Sequence, residues 1–147
     1  MTDQMHNPVA HHLGYRMRRA SVALMAKAGR TAEERGLSIT LGTVLILISA
    51  NPGCRQRDLC AELGIKRANM TPIVADLETR GLLDRAAIDG RSQAMRLTPK
   101  GAALAQELLA ALEATEQSID SHFAPGELDQ LRDLAQRLEE AMAQDHP

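Results

Sequence analysis

Apolar positions recur at spacings of three and four along most of the chain. Leu13, Met17, Ala20, Leu24 and Ala28 form one such stripe, which predicts a single long helix from His12 to about Arg35. Ser38 offers a capping hydroxyl to a second helix, Ile39 to Ala50, and Asn51-Pro52-Gly53 stops it. Arg55 to Leu63 reads as a third helix, with Leu59 and Leu63 inward and Gly64 as its stop. Lys66 to Arg80 reads as a fourth, ended by Gly81. The period then changes. Leu83 to Ile88 and Gln93 to Leu97 are short segments around Asp89-Gly90, a hairpin-turn dipeptide. Thr98-Pro99 opens a fifth helix that runs to about His122, and Pro125-Gly126 opens a sixth that runs to about Ala143.

A helix-turn-helix followed at once by a hairpin is a winged helix. The predicted fold is therefore mainly α, a winged helix-turn-helix core with a small β-hairpin wing, flanked by long N- and C-terminal helices. In such a module the second helix of the pair enters the major groove and the wing approaches the flanking backbone or minor groove. A wheel at 100° per residue places Met70, Ile73, Val74 and Leu77 on one face of the fourth helix. Ala68, Thr71, Pro72, Ala75 and Thr79 fall opposite. Small side chains there let a helix sit deep in a groove and touch thymine methyls, with Asn69 and Arg67 on the flanks to pair with adenine and with guanine or phosphate. Pro72 costs little backbone bonding if the helix effectively begins near Ala68 or Asn69, and otherwise kinks its first turn.

Composition narrows the picture. Apolar residues make up 44% of 147 positions but aromatics only 1%, so the core is built from Leu, Ile, Val, Ala and Met. No apolar run approaches the ~20 residues of a membrane span. The N-terminus lacks a basic-then-apolar signal pattern, and the two cysteines then predict free thiols in a reducing, cytoplasmic setting. The net charge of −2 hides an asymmetry: residues 1–53 carry +3, residues 54–101 carry +3, and residues 102–147 carry −8. A basic front with an acidic tail suits a polyanionic partner once a motif supports it.

The segment RDLCAELGIKRANMTPIVADLETRGLLDRAAIDGRSQAMRLTPKG, Arg57 to Gly101, carries such a motif. The helix-turn-helix is followed by Leu77-Glu78, then Arg80-Gly81-Leu82, Asp89-x-Arg91, and Leu97-Thr98-x-x-Gly101. In this order and spacing it resembles the DNA-binding core of the MarR family of regulators, and the flanking helices match in layout. The resemblance implies a homodimer built on the first, fifth and sixth helices, a palindromic double-stranded DNA operator, and release by a small ligand. It divides the chain into a winged-helix region, 37–101, and a dimerisation region, 1–36 with 102–147, intertwined as one domain. It implies a DNA-contacting set of Arg55, Lys66, Arg67, Ala68, Asn69, Thr71, Pro72, Asp89 and Arg91, with Asp89 orienting the wing or its Arg. Lys66 stands where the family often has Ser, and Pro72 where it often has a polar base-reading residue.

Further chemistry is sparse. Leu128, Leu131, Ala135, Leu138 and Met142 step by three and four as an a/d seam, which predicts an inter-chain interface. In relatives, anionic aromatic compounds bind between the dimerisation helices and the DNA-binding lobe. His11, His12, Tyr15, Arg16 and Arg19 could line such a site here, Arg for a carboxylate and Tyr for a ring and hydroxyl. Salt-bridge roles for Arg16 and Arg19 fit equally well. The five histidines show no metal-ligand spacing, and no metal, cofactor or catalytic set is predicted. Cys54 lies beside Arg55 and Arg57, which could lower its pKa, so a cysteine-based redox sensor stays open as an alternative. A second alternative is a winged-helix protein-interaction module without DNA binding.

Overall fold

The computed structural model describes residues 5–89 and 92–144 of the chain. They fall into two compact units, one ending at Ala111 and one beginning at Leu112. In the first unit the helices are α1 (Leu13–Ala28), α2 (Arg30–Glu34), α3 (Ile39–Ala50), α4 (Gln56–Leu63) and α5 (Arg67–Thr79). An antiparallel hairpin follows, β1 (Leu83–Asp89) and β2 (Ser92–Leu97), and then α6 (Pro99–Asp120), which ends in the second unit.

Sequence signals account for most of the element ends. Ser38 Oγ accepts from the Leu41 N–H at 3.2 Å and caps α3. Gly64 closes α4 in the left-handed region, at φ +61°. One boundary differs from expectation. The first helix does not run unbroken to Arg35 but is interrupted at Gly29. A Cβ there would lie 2.6 Å from Ile39 Cγ1, so the bare backbone lets the start of α3 approach closely.

The core is aliphatic. Val44, Leu45 and Ile48 of α3 and Met70, Val74 and Leu77 of α5 are fully buried, joined by Leu82, Leu83, Met95, Ala105 and Leu108. Each such side chain contributes roughly 1.5–3 kcal/mol of apolar transfer, which is how a chain almost without aromatics holds together. The hairpin pairs Leu83 with Leu97, Arg85 with Met95 and Ala87 with Gln93. Its other edge is also bonded: the Gly53 N–H donates to the Met95 carbonyl at 2.8 Å, and the Met95 N–H donates to the Cys54 carbonyl at 2.9 Å. The α3–α4 loop thus holds the wing as a short third strand would.

The end of α5 is joined to the start of α6. Thr98 Oγ1 accepts from the Gly101 N–H at 3.1 Å and donates to the Gly81 carbonyl at 2.7 Å. Lys100 Nζ donates to the Arg80 carbonyl at 3.1 Å. A single threonine caps α6 and at the same time satisfies a carbonyl just beyond α5.

The second unit contains the end of α6 and α7 (Glu127–Gln144). The Ala124 N–H donates to Glu127 Oε2 at 2.8 Å, and Arg132 pairs with both Glu116 and Asp129 at 2.6 Å. These pairs are exposed and screened by solvent, so they add little to stability. Of the predicted seam only Leu128 is buried; Leu131 and Met142 are exposed, as is the neighbouring Leu134.

Candidate nucleic-acid interface

Two faces of α5 are sharply different. Met70, Val74 and Leu77 are fully buried and Ile73 is half-buried. Lys66, Arg67, Ala68, Asn69, Thr71, Pro72, Ala75 and Thr79 are all exposed, as the wheel predicts. Lys66 takes the N-cap position at φ −64°, ψ 145°, without a capping side chain. Among the described residues, the side chains of Lys66, Arg67 and Asn69 form no hydrogen bond or ion pair. The first turn of α5 contains no acidic residue, so its positive dipole end is not neutralised and favours phosphate.

Thr71 is more constrained than its exposure implies. Its hydroxyl donates to the Arg67 carbonyl and accepts from Gln56 Nε2, both at 2.9 Å. What it offers a groove is mainly its methyl group, the part that suits thymine. Gln56, at the start of α4, pins the two helices of the motif together and had no sequence signal of its own. Pro72 also differs from its easier reading. The helix begins at Arg67, which puts Pro72 sixth, in the second turn, where it removes a main-chain hydrogen bond.

Behind the helix, Arg85 of β1 forms a close ion pair with Glu78 of α5 and donates to Gln93 Oε1 of β2 at 3.3 Å. α5 and the hairpin are tied by one guanidinium. Arg80 pairs with Asp76 at 2.9 Å. Arg55, half-buried, precedes α4, and its backbone N–H donates to Asp58 Oδ2 at 2.8 Å. Gly90 and Arg91 lie outside the described residues, and so does the Asp89 side chain, so the predicted wing-tip contacts are not placed.

Residues 35–92 match the model of the MarR family, and they contain this helix-turn-helix and most of the hairpin. Over these residues the chain is similar to the MarR family of regulators. It is 26% identical over 141 residues to a Thauera aromatica protein assigned as the transcriptional regulatory protein for the hcr operon, covering 94% of this chain and 85% of that one. The PcaV transcriptional regulator of Streptomyces coelicolor, solved with its natural ligand, is 28% identical and superposes with a TM-score of 0.80, covering 94% and 99%. The Staphylococcus aureus MepR–DNA complex shares the fold at 21% identity, with a TM-score of 0.81 and coverage of 88% and 97%.

Of the ligand-site candidates, the structure brings some together. Tyr15 is hydrogen-bonded by Arg19 and, at 2.7 Å, by Asn7 Nδ2. The Arg19 bond first, then the Asn7 bond and the charges of Arg19 and Arg16, hold the phenol below its ordinary pKa. Asn7 was not legible from sequence, because it lies outside any periodic element. His11 and His12 are exposed, with no side-chain hydrogen bond or ion pair among the described residues. No group of three His, Cys, Asp or Glu residues able to hold a metal occurs among the described residues.

Cys54 corrects an expectation. Its thiol is pushed up, not down: burial is the main cause, and the nearby Asp58 carboxylate adds to it. Arg57 pairs with Asp58 at 3.5 Å instead of activating the sulfur. A raised thiol pKa disfavours the thiolate that a redox sensor uses.

Proposed function

We propose that this chain is a homodimeric, sequence-specific regulator of transcription that binds a palindromic operator, acts as a repressor, and is released by a small aromatic or anionic effector. It works in the cytoplasm, without catalysis or a cofactor. The observation that carries the reading is the front of α5, where Lys66, Arg67 and Asn69 stand unengaged beside small residues on a helix anchored from behind. The ligand in PcaV and the DNA in MepR support it. Asp89 and Arg91 belong to the same proposal, the arginine as a minor-groove contact.

Gel shifts against the gene's own upstream region test it. Asn69→Ala is expected to relax preference by about 1–3 kcal/mol at one position of each half-site. Lys66→Ala is expected to weaken all sequences alike and to reduce the salt slope by ~0.9. The reverse pattern in a site-selection assay would overturn the assignment.

Dimerisation, through residues 1–36 and 102–147, rests on uncovered apolar surface. In α1 no residue is buried, and Leu13, Val22, Leu24 and Met25 are exposed. In α7 Leu131, Leu134 and Met142 are exposed too. Sedimentation equilibrium is expected to show a dimer at micromolar concentration, with half-sites centred roughly 10 bp apart; a stable monomer would sink this part of the proposal. For the effector, thermal-shift screening with aromatic acids should register binding that Arg19→Ala and Tyr15→Phe weaken.

A further inference from the structure

We propose that the main-chain carbonyl of Ala68 reads the operator, accepting a hydrogen bond from the exocyclic amino group of one adenine or cytosine in each half-site. The inference rests on the reading of α5 as the groove-entering helix.

The first turn of α5 can be accounted for one carbonyl at a time. The Lys66 carbonyl accepts from the Asn69 N–H at 2.9 Å and from the Met70 N–H at 3.1 Å. The Arg67 carbonyl accepts the Thr71 hydroxyl at 2.9 Å. The Ala68 carbonyl should take the N–H four residues on, but that residue is Pro72, which has none. Among the described residues no side chain donates to it. A proline ring inside a helix generally crowds the carbonyl four residues back and tilts it off the helix axis.

Position makes the vacancy useful. Ala68 and Pro72 share the exposed face with Ala75, and Thr71 turns its hydroxyl back into the protein. No long side chain on that stripe would hold the backbone away from a base edge. A carbonyl is an acceptor only. In the major groove it is complementary to the N6 amino group of adenine or the N4 amino group of cytosine, and it repels the acceptors of guanine and thymine. Bound to DNA, the carbonyl regains the partner that the proline denies it, and only on a sequence with an amino group there.

The test uses the full-length protein and the operator it selects from a random pool. Each adenine in that site is replaced by purine and each cytosine by 2-pyrimidinone, which deletes the amino group. Two variants are compared with the wild type. Pro72→Ala supplies the missing N–H; Pro72→lactic acid, an ester linkage with a methyl side chain, does not. At one position, deletion is expected to weaken wild type and the ester variant roughly five- to tenfold and to leave Pro72→Ala within about twofold. The same position must stay sensitive in Asn69→Ala, which separates it from the adenine that Asn69 reads. If the protein selects no sequence, the operator reading falls and this inference with it. If it selects one but every deletion affects wild type and Pro72→Ala equally, the carbonyl contact alone is overturned.

Discussion

Gly101→Ala is expected to cost about 3 kcal/mol or more of folding stability, lowering the melting temperature by roughly 10 °C. The sign is opposite to the usual one, since replacing a helix-interior glycine by alanine ordinarily gains about 0.5–1 kcal/mol. Here an added Cβ would lie 2.0 Å from the Leu82 carbonyl oxygen and 2.9 Å from its carbon. Both atoms are backbone, and the oxygen is held by the Thr98 N–H at 3.1 Å. Neither neighbour can move without opening the joint between the wing and α6. Thermal melts by circular dichroism decide it: a variant melting at or above wild type would show that the approach is looser than the geometry requires.

Met70→Ala is expected to cost about 2–5 kcal/mol, the range for truncating a buried aliphatic side chain and leaving a cavity. Met70 is fully buried on α5, and its neighbours Asn69 and Thr71 face outward. The substitution therefore separates packing from readout. Urea unfolding should report the loss. At low temperature, where the variant is still folded, its base preferences should match wild type. A loss under about 1 kcal/mol would show that the core closes around the smaller side chain, while changed preferences in a fully folded sample would mean that the two faces of the helix are not independent.

The two-faced helix, the hairpin and the caps were legible because each is written in a local pattern: a 100° repeat from Met70 to Leu77, the Asp89-Gly90 dipeptide, the hydroxyls of Ser38 and Thr98. What escaped depends on contacts across the fold. Gln56 reaches Thr71 over fifteen positions, and Arg85 reaches Glu78 from a different element. The break at Gly29 is set by how closely Ile39 approaches, which no spacing encodes. The charge neighbours of Cys54 were visible, but its burial was not, and burial decides the direction of its pKa. The role of Pro72 turned on a single boundary. With Lys66 at the cap, the helix starts one or two residues earlier than a cheap proline would need.

The shared threonine and lysine contacts between the end of α5 and the start of α6 have a mechanical consequence. With 13 residues, α5 is a rod of roughly 20 Å, clamped to α6 at one end and tied to α4 through Gln56 and Thr71 near the other. Rotating the clamp by roughly 10°, with α4 carried along, would swing the far end by about 3.5 Å, close to the 3.4 Å rise of one nucleotide along a strand. The clamp has no slack loop in which to lose that rotation, because Thr98 and Lys100 hold main-chain carbonyls rather than mobile side chains. A rotation of α6 passed through this clamp would therefore move Lys66 and Asn69 along the groove together with α4.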